Sequence, residues 1–309
     1  MKNGKLHMIM NLPTSEDYFQ SGRELLNFAW DTTSDLLTEF DQADYYGFAQ
    51  EEISEQYWAA AKRTLTTSLA IVQQGVEFLL KGKIAEISPY LLISDPPSRW
   101  PSPYENHAID FSTFRTVDAQ DLIRIHDTFS ILPLSISFAE KFHSLRERRN
   151  VIMHSPGNGI TVHVTEVIEA ILFVYKALFP KENWPTIRRK FLERGPNSEL
   201  GGGDYATNRA CWEISIILSL LKPTQVKAFL GIDPKQRAYF CPKCLNMANT
   251  DAGFDFPLAV LRPKSISATR LYCPVCNEEH EVKRQGCEKK GCPGNVIDPE
   301  YSTCLTCGF

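Results

Sequence analysis

Apolar residues recur at three- and four-residue steps over most of the first 180 residues, which predicts amphipathic helices. The clearest stripe runs from about residue 51 to residue 83 and repeats almost as a heptad. Further helices are predicted over 15–40, 117–129, 134–155 and 164–179. Only 159–164 alternates briefly in the manner of a strand. The pattern therefore predicts a mainly α fold that begins with a bundle of four or five helices.

Residues 181–233 keep a helical pattern, with breaks at Gly195-Pro196 and at Gly201-Gly202-Gly203. The three glycines are not followed by Lys-Ser/Thr and no strand precedes them, so they predict a flexible turn rather than a phosphate-binding loop. The composition changes from Phe240, where cysteines alternate with strand-forming residues. We therefore expect a helical domain over 1–180, a helical extension or linker over 181–233 and a cysteine-rich domain over 234–309.

The charge is spread unevenly along the chain. The formal net charge is -4, which does not mark the whole protein as a nucleic-acid binder. Residues 141–149 and 181–194 nevertheless each carry a local net charge of +3. Such basic surfaces can face phosphates, although solvated helix faces are the commoner explanation of a charge run.

The sequence predicts a cytoplasmic protein without membrane association. Residues 1–10 are too polar for the apolar core of a signal peptide, and the longest apolar runs are far too short for a membrane span. In a reducing compartment the nine cysteines favour metal binding over disulfide bonds. Cys211, inside an apolar helix, is predicted to be a small buried hydrophobic residue.

Eight cysteines form four closely spaced pairs, which is a strong signal for metal binding: Cys241 and Cys244, Cys273 and Cys276, Cys287 and Cys292, Cys304 and Cys307. The two-residue spacer of three of these pairs lets both thiolates reach one tetrahedral ion. The simplest partition gives two four-cysteine zinc sites, in sequence order, within one β-rich zinc ribbon or two in tandem. An interleaved partition, replacement of one thiolate by His280 and an iron–sulfur cluster are the alternatives.

These ions are predicted to be structural. Four thiolates leave no open coordination position, and each ion could contribute on the order of 10 kcal/mol to the folding of a segment too small to build its own core. The ribbon is then either a folded docking module or a nucleic-acid contact assisted by its basic residues: Lys243, Arg262, Lys264, Arg270, Lys283, Arg284, Lys289 and Lys290.

Arg149-Asn150-Val151-Ile152-Met153-His154 places three polar residues at the end of a predicted amphipathic helix. Arg149 shares its stripe with four apolar residues: Phe138, Phe142, Leu145 and Ile152. An unpaired guanidinium on a core-facing row is costly to bury. Arg149 therefore either pairs with a buried carboxylate such as that of Glu77 or faces a cleft that receives an anion.

Asn150 and His154 are one helical turn apart and share a face. Arg149 lies about 100° around the helix from Asn150. A single helix therefore does not bring the three residues into a compact triad, and we expect a partner surface to complete the site. The other histidines His126, His143 and His163 lack a supporting motif and are predicted to be structural.

Taken together, the helices resemble the HEPN superfamily over about residues 15–180. The resemblance rests on Glu77-Phe78-Leu79-Leu80-Lys81 within a long helix and on Arg149-Asn150-x3-His154 at the end of a later one. The family signature is an arginine, four to six intervening residues and a histidine, often with a polar residue directly after the arginine. The resemblance implies a homodimer in which one cleft contains two copies of the motif. It also implies a metal-independent endoribonuclease of the kind found in toxin–antitoxin and antiphage systems, with an antitoxin or another regulatory protein as partner.

The residue types suit RNA cleavage by the substrate's own 2′-hydroxyl. That reaction needs a base and an acid, and histidine serves both purposes near neutral pH. We therefore expect His154 to be the general acid or base, Arg149 to clamp the phosphate and Asn150 to orient the histidine ring or a phosphate oxygen. The alternative is a non-catalytic dimeric adaptor that binds nucleic acid or protein through its zinc ribbon. A transcriptional regulator is disfavoured, because no helix-turn-helix pattern is evident.

Overall fold

A computed structural model describes residues 9–100, 109–154, 160–201, 203–248 and 253–309. Contacts between Cα atoms divide the chain into two compact units. The first unit comprises Met1–Thr33 and Gln56–Leu178, and the second comprises Ser34–Glu55 and Phe179–Phe309. Each unit is therefore discontinuous in sequence.

The predicted helices of the first 180 residues are present: α1 (Ser15–Asp41), α2 (Gln50–Ile87), α3 (Leu122–Phe129), α4 (Ile136–His154) and α5 (Val164–Leu178). A reciprocal cap starts α1, because Thr14 N donates to Asp17 Oδ2 at 2.7 Å while Asp17 N donates to Thr14 Oγ1 at 3.2 Å. Helix α3 begins later than predicted. The backbone N–H of Val117 donates instead to Leu92 O at 2.9 Å, which ties this segment to a preceding turn.

Two small residues allow α1 and α2 to pack closely in the first unit. A Cβ added to Gly22 would lie 2.6 Å from Leu79 Cδ2, and one added to Gly82 would lie 2.4 Å from Phe19 Cδ1. The predicted stripe of α2 forms the core here, since it is almost fully buried at Leu69, Val72, Val76 and Leu79. Burial of this stripe is the main favourable term for the packing of these helices.

Short elements connect the helices. Strands β1 (Ile9–Met10) and β2 (Ile109–Asp110) pair in parallel, a pairing that the sequence did not predict. Single turns of 3-10 helix lie at Ala43–Tyr46, Pro89–Leu92, Pro97–Arg99 and Phe111–Thr113. The strand predicted over 159–164 is wrong, because the described residues 160–163 form no strand and Val164 begins a helix. Residue 155, where the helix predicted over 134–155 ends, residue 159 and the middle glycine, Gly202, lie outside the described residues.

The second unit contains five further helices: α6 (Trp184–Glu193), α7 (Pro196–Gly201), α8 (Gly203–Leu220), α9 (Pro223–Leu230) and α10 (Pro242–Met247). A buried ion pair holds α6 to α8. The Nε and Nη2 atoms of Arg188 each donate to a carboxylate oxygen of Glu213 at 2.9 Å, and both side chains are almost fully buried. Arg209 Nε contacts the same carboxylate at 2.8 Å, so the buried charge of Glu213 has two cationic partners.

A four-stranded antiparallel sheet follows in the order β3 (Ala238–Tyr239), β4 (Ala259–Arg262), β5 (Arg270–Cys273) and β6 (Glu278–Glu281). Leu261 opposes Leu271 in the register of the two central strands, and Leu271 is fully buried. The last residues add only isolated bridges, Lys283 with Ile297 and Ile297 with Cys304. The predicted β-rich segment is therefore one small sheet followed by an irregular module.

No described helix combines the length and the apolar character that crossing a lipid bilayer requires.

Candidate metal centres and the arginine–histidine motif

Cys241, Cys244, Cys273 and Cys276 form the first cysteine cluster, and all four are buried. The Sγ atoms of Cys241 and Cys276 are 3.7 Å apart, and those of Cys244 and Cys273 are 3.8 Å apart. A tetrahedral ion with metal–sulfur bonds of about 2.3 Å separates its sulfur ligands by about 3.8 Å. The cluster therefore fits a single tetrahedral ion. The nine cysteines form no disulfide, as the sequence analysis expected.

Local backbone structure presents these thiols. Cys241 caps α10, and the backbone N–H of Cys244 donates to its sulfur at 3.5 Å. Cys273 ends β5, and Asn277 N donates to Cys273 O at 2.9 Å to close the turn that carries Cys276. Asn277 has a φ of 57°, a conformation that asparagine tolerates better than most residues. Each pair thus lies on a tight turn, and in the first pair a backbone N–H also donates to a sulfur.

His280 lies beside the first cluster rather than in place of a thiol. Its Nε2 atom is 3.4 Å from the sulfur of Cys241 and 3.4 Å from that of Cys276. All four thiols remain within reach of one ion, so no thiol is replaced. A protonated Nε2 would donate a hydrogen bond to the sulfurs and offset their negative charge when a metal is bound.

A ninth cysteine, Cys211, contacts the first cluster, which the sequence analysis did not foresee. Cys211 is buried in α8, as predicted, but its thiol also interacts with that of Cys244. This interaction, followed by those with the other thiols and by burial, raises the pKa of Cys244 well above its ordinary value. Helix α8 therefore supports the metal cluster as well as the buried ion pair.

Cys287, Cys292, Cys304 and Cys307 form the second cysteine cluster. The sulfur–sulfur distances are 3.8 Å between Cys287 and Cys307 and 4.0 Å between Cys292 and Cys304. The cysteines therefore divide in sequence order, and an interleaved partition does not occur. Backbone N–H groups of Lys289 and Gly294 donate to the sulfurs of Cys287 and Cys292 at 3.4 and 3.3 Å. These donors stabilise thiolates, so this cluster also suits a metal ion.

The predicted motif occupies the last turns of α4. Asn150 and His154 are exposed, and Arg149 is half-buried. The buried part of its stripe ends at Leu145, so the guanidinium is not enclosed in the core. Arg149 Nη1 donates to Asn150 Oδ1 at 3.2 Å. The long arginine side chain thus spans the angular offset that separates these two residues on the helix.

Glu77, the carboxylate proposed as a partner for Arg149, pairs with Lys81 instead. Glu77 Oε1 lies 3.0 Å from Lys81 Nζ, within the helical segment that carries the HEPN resemblance. Among the described residues, no carboxylate forms an ion pair with Arg149. The neighbouring Arg148 differs, since it pairs with Glu166 and donates to Thr161 O at 3.0 Å. Of the two adjacent arginines, Arg148 therefore fastens α4 to the start of α5, and Arg149 retains donors for a ligand.

Three further histidines are described in the first unit, and each has structural surroundings or no evident partner. His126 is buried, and its Nδ1 lies 2.8 Å from Asp127 Oδ1. His143 packs edge-on against the ring of Phe142. His163 is exposed in the segment that precedes α5.

Comparison of the chain with protein-family models, with curated proteins and with solved structures finds no match to any of them. The resemblance to the HEPN superfamily therefore rests on the residues named above.

Proposed function

We propose that this protein is a metal-independent endoribonuclease of the HEPN type that acts as a homodimer. In this proposal His154 transfers protons, Arg149 binds the scissile phosphate and Asn150 orients the guanidinium. The observation that carries the proposal is the state of Arg149, which bonds to Asn150 beside an exposed His154 and pairs with no carboxylate in the described chain. A structural arginine is expected to have a carboxylate partner, as Arg148 has in Glu166.

The proposed reaction is an internal phosphoryl transfer. One histidine accepts the proton of the RNA 2′-hydroxyl, whose oxygen then forms a bond to phosphorus. The bond from phosphorus to the 5′-oxygen breaks, and that oxygen receives a proton from an acid. The products are a 2′,3′-cyclic phosphate and a 5′-hydroxyl. The guanidinium of Arg149 stabilises the charge that develops on the phosphate oxygens by donating two parallel hydrogen bonds.

The reaction needs a base and an acid at the same time, whereas each copy of the motif supplies one histidine. A second copy of the chain, related by a two-fold axis, provides the other. This requirement agrees with the exposure of Asn150 and His154, because residues that meet a partner must be accessible in the single chain. The homodimer is therefore part of the proposed mechanism.

The proposal assigns zinc to both cysteine clusters as a structural ion. Zinc prefers tetrahedral thiolate shells, and four thiolates leave no open position for catalysis. Free thiols persist in reducing compartments, which supports a location in the cytoplasm. RNA is the proposed substrate, and an antitoxin or other regulatory protein is the proposed partner that restrains a toxic or antiphage nuclease.

Cleavage of RNA by zinc-loaded protein, without added divalent cations, tests this function. We expect His154→Ala to lower the rate by about 10²-fold or more, because acid–base catalysis contributes that much, and Arg149→Ala to cost about as much. His163→Ala and Arg124→Ala are matched controls, since both side chains are exposed in the same unit and lie outside the motif. Equal rates for all variants would contradict the proposal and favour the non-catalytic adaptor.

A further inference from the structure

The second unit contains a cleft with a strongly basic lining. The cleft encloses about 450 Å³ between the sheet and the module of the second cysteine cluster. Four of its ten lining residues are cationic, and none is a carboxylate: Lys235, Arg237, Lys264 and Arg284 are the cations. The whole protein has a net charge of -4, so this positively charged lining has the opposite sign to the protein as a whole.

Most of this positive charge is available to a ligand. Lys235 and Arg237 are exposed and form no ion pair with a described carboxylate. Lys264 Nζ lies 3.0 Å from Asp233 Oδ2, but its side chain remains 64% exposed. An exposed pair of this kind is worth little, so Lys264 can exchange its partner for an anion.

Arg284 provides an independent indication that the cleft receives an acceptor. Its Nη1 atom is buried and has no hydrogen-bond partner among the described residues. Leaving a buried donor unsatisfied costs about 1–3 kcal/mol, and more for a charged group. The adjacent residue Lys283 is held by paired hydrogen bonds to Ile297 at 2.9 Å in both directions, so the backbone of this segment is fixed. A small rotation of the Arg284 side chain would let Nη1 donate a hydrogen bond to an oxygen of a ligand in the cleft.

Apolar groups complete the lining of the cleft. Leu261 and Tyr239 are buried beneath it, and the guanidinium of Arg237 lies over the ring of Tyr239 at 5.5 Å. Ile266 is 92% exposed and offers an apolar surface at the cleft. Grooves that bind single-stranded nucleic acid combine cations for the phosphates with flat or apolar surfaces for the bases. The enclosed volume is within the range of pockets for small ligands, which accommodates about one nucleotide.

We infer that this basic cleft binds the sugar–phosphate backbone of single-stranded RNA. This inference rests on the proposed function for the identity of the ligand, because a ribonuclease binds RNA as its substrate. Lys235, Arg237 and Lys264 contact phosphate oxygens, Arg284 donates its unsatisfied N–H to the same chain, and Ile266 contacts a base. The cleft thus holds substrate through contacts that are independent of the base sequence.

Binding is measured by fluorescence anisotropy with a labelled 2′-O-methyl oligouridine, which has no 2′-hydroxyl to attack and so cannot be cleaved by the proposed chemistry. We expect Lys235→Gln with Arg237→Gln to weaken binding by about tenfold at physiological salt. The slope of log affinity against log salt should fall in magnitude by about 0.7 for each phosphate contact removed, or about 1.4 for the pair. Both side chains are exposed, so the fold should be unaffected.

Lys222→Gln is the matched control, because Lys222 is exposed in the same unit at the far end of α9 and does not line the cleft. Wild-type affinity and slope in the double variant would overturn the inference. An equal loss in the control variant would overturn it as well, since binding would then depend on overall charge rather than on the cleft.

Arg284→Gln separates a binding role from a structural one. We expect the variant to bind the oligouridine more weakly while its melting temperature stays equal or rises, because a buried N–H without a hydrogen-bond partner is removed. A lower melting temperature with unchanged binding would show that Arg284 is structural and contradict its part in the site. Cleavage of unmodified RNA is assayed separately. If the nuclease proposal fails but the cleft binds RNA, the wild type does not cleave RNA, yet it still binds the oligouridine more tightly than the cleft variants do.

Discussion

Gly294 shows how one residue determines the shape of the second cysteine cluster. A Cβ at this position would lie 2.6 Å from Cys304 Sγ and 2.8 Å from Thr306 Cβ. A sulfur that binds a metal could not move away from such a contact, because it would have to stay at bonding distance from the ion. The backbone of Gly294 also donates to Cys292 Sγ. Its lack of a side chain is therefore a requirement of the metal site.

We predict that Gly294→Ala lowers the metal content of the purified protein from two ions per chain toward one, because the added methyl group displaces Cys304. Elemental analysis by mass spectrometry checks this result. Gly286→Ala is the matched control, since a Cβ there meets nothing within 4 Å. Two retained ions in Gly294→Ala would show that the cluster adapts to the side chain and would contradict the geometry.

His280 makes a separate prediction at this scale. Its Nε2 atom lies beside two sulfurs without replacing a thiol, so His280 should tune metal affinity without setting it. His280→Ala is expected to weaken metal binding by about 10- to 100-fold, and Cys276→Ser to weaken it considerably more. Competition with a chromophoric chelator measures both values. An equal loss in the two variants would instead identify His280 as a full ligand.

Sequence spacing could predict the eight candidate ligands because the two cysteines of each pair lie close together in the chain. In three of the four pairs they are three residues apart, a spacing that lets both thiols reach one ion. The contacts of His280 and Cys211 with these thiols could not be predicted in the same way. They depend on strand β6 and helix α8 being packed against the cluster, and no local pattern records that packing. The hydrogen bond between Arg149 and Asn150 could not be predicted either. The angle between two residues on a helix gives the directions of their Cβ atoms, but not the position of the end of a long arginine side chain.

Helices α6 and α8 pack around two buried charges, and this packing depends on the pairing of one charge with the other. Arg188 and Glu213 are almost fully buried, and two hydrogen bonds join the guanidinium to the carboxylate. Burial of two charges is costly, so the pair is tolerated only while both partners are present. Arg209 adds a second cation to the same carboxylate.

We predict that Glu213→Ala lowers the free energy of unfolding by about 3–5 kcal/mol, because it leaves Arg188 buried without a counter-charge. Denaturant unfolding measures the change. Asp118→Ala is the control, since its ion pair with Arg115 is exposed and should contribute no more than about 1 kcal/mol. Similar losses in both variants would contradict the distinction between buried and exposed pairs.

The long helices were predictable because a stripe of apolar residues persists over many turns, as it does along α2. The late start of α3 was not, since a tertiary hydrogen bond from Val117 decides it. Strands β1 and β2 have two residues each, too few to show a period of two. Elements that rely on long-range partners therefore escaped prediction, whereas elements with their own repeating pattern did not.

At the scale of the whole molecule, the two compact units do not follow one another along the chain. Ser34–Glu55 belongs with Phe179–Phe309, so α1 and α2 each contribute to both units. A change in composition can suggest a boundary along the chain, such as the point where the cysteines begin. It cannot show that one helix contributes residues to two compact units. That arrangement depends on which apolar faces meet in the folded chain.

Metal removal should affect the two units differently. We predict that a chelator causes loss of hydrogen-exchange protection in β4 and β5, while the amides of α2 within the first unit stay protected. If the clusters hold structural ions, as we propose, the stability of the cysteine-rich segment depends on them, whereas the stripe of α2 is buried by apolar packing. Simultaneous loss of protection in both regions, or no change in the sheet, would contradict this division of stability.

The central claim is that His154 and Arg149 cleave RNA through its own 2′-hydroxyl. The most direct test identifies the ends of the RNA fragments by mass spectrometry after incubation with zinc-loaded protein in a buffer free of added divalent cations. We expect 2′,3′-cyclic phosphate and 5′-hydroxyl ends from the wild type and no such fragments from His154→Ala. Fragments with 3′-hydroxyl and 5′-phosphate ends, or identical fragments from His154→Ala, would contradict the claim.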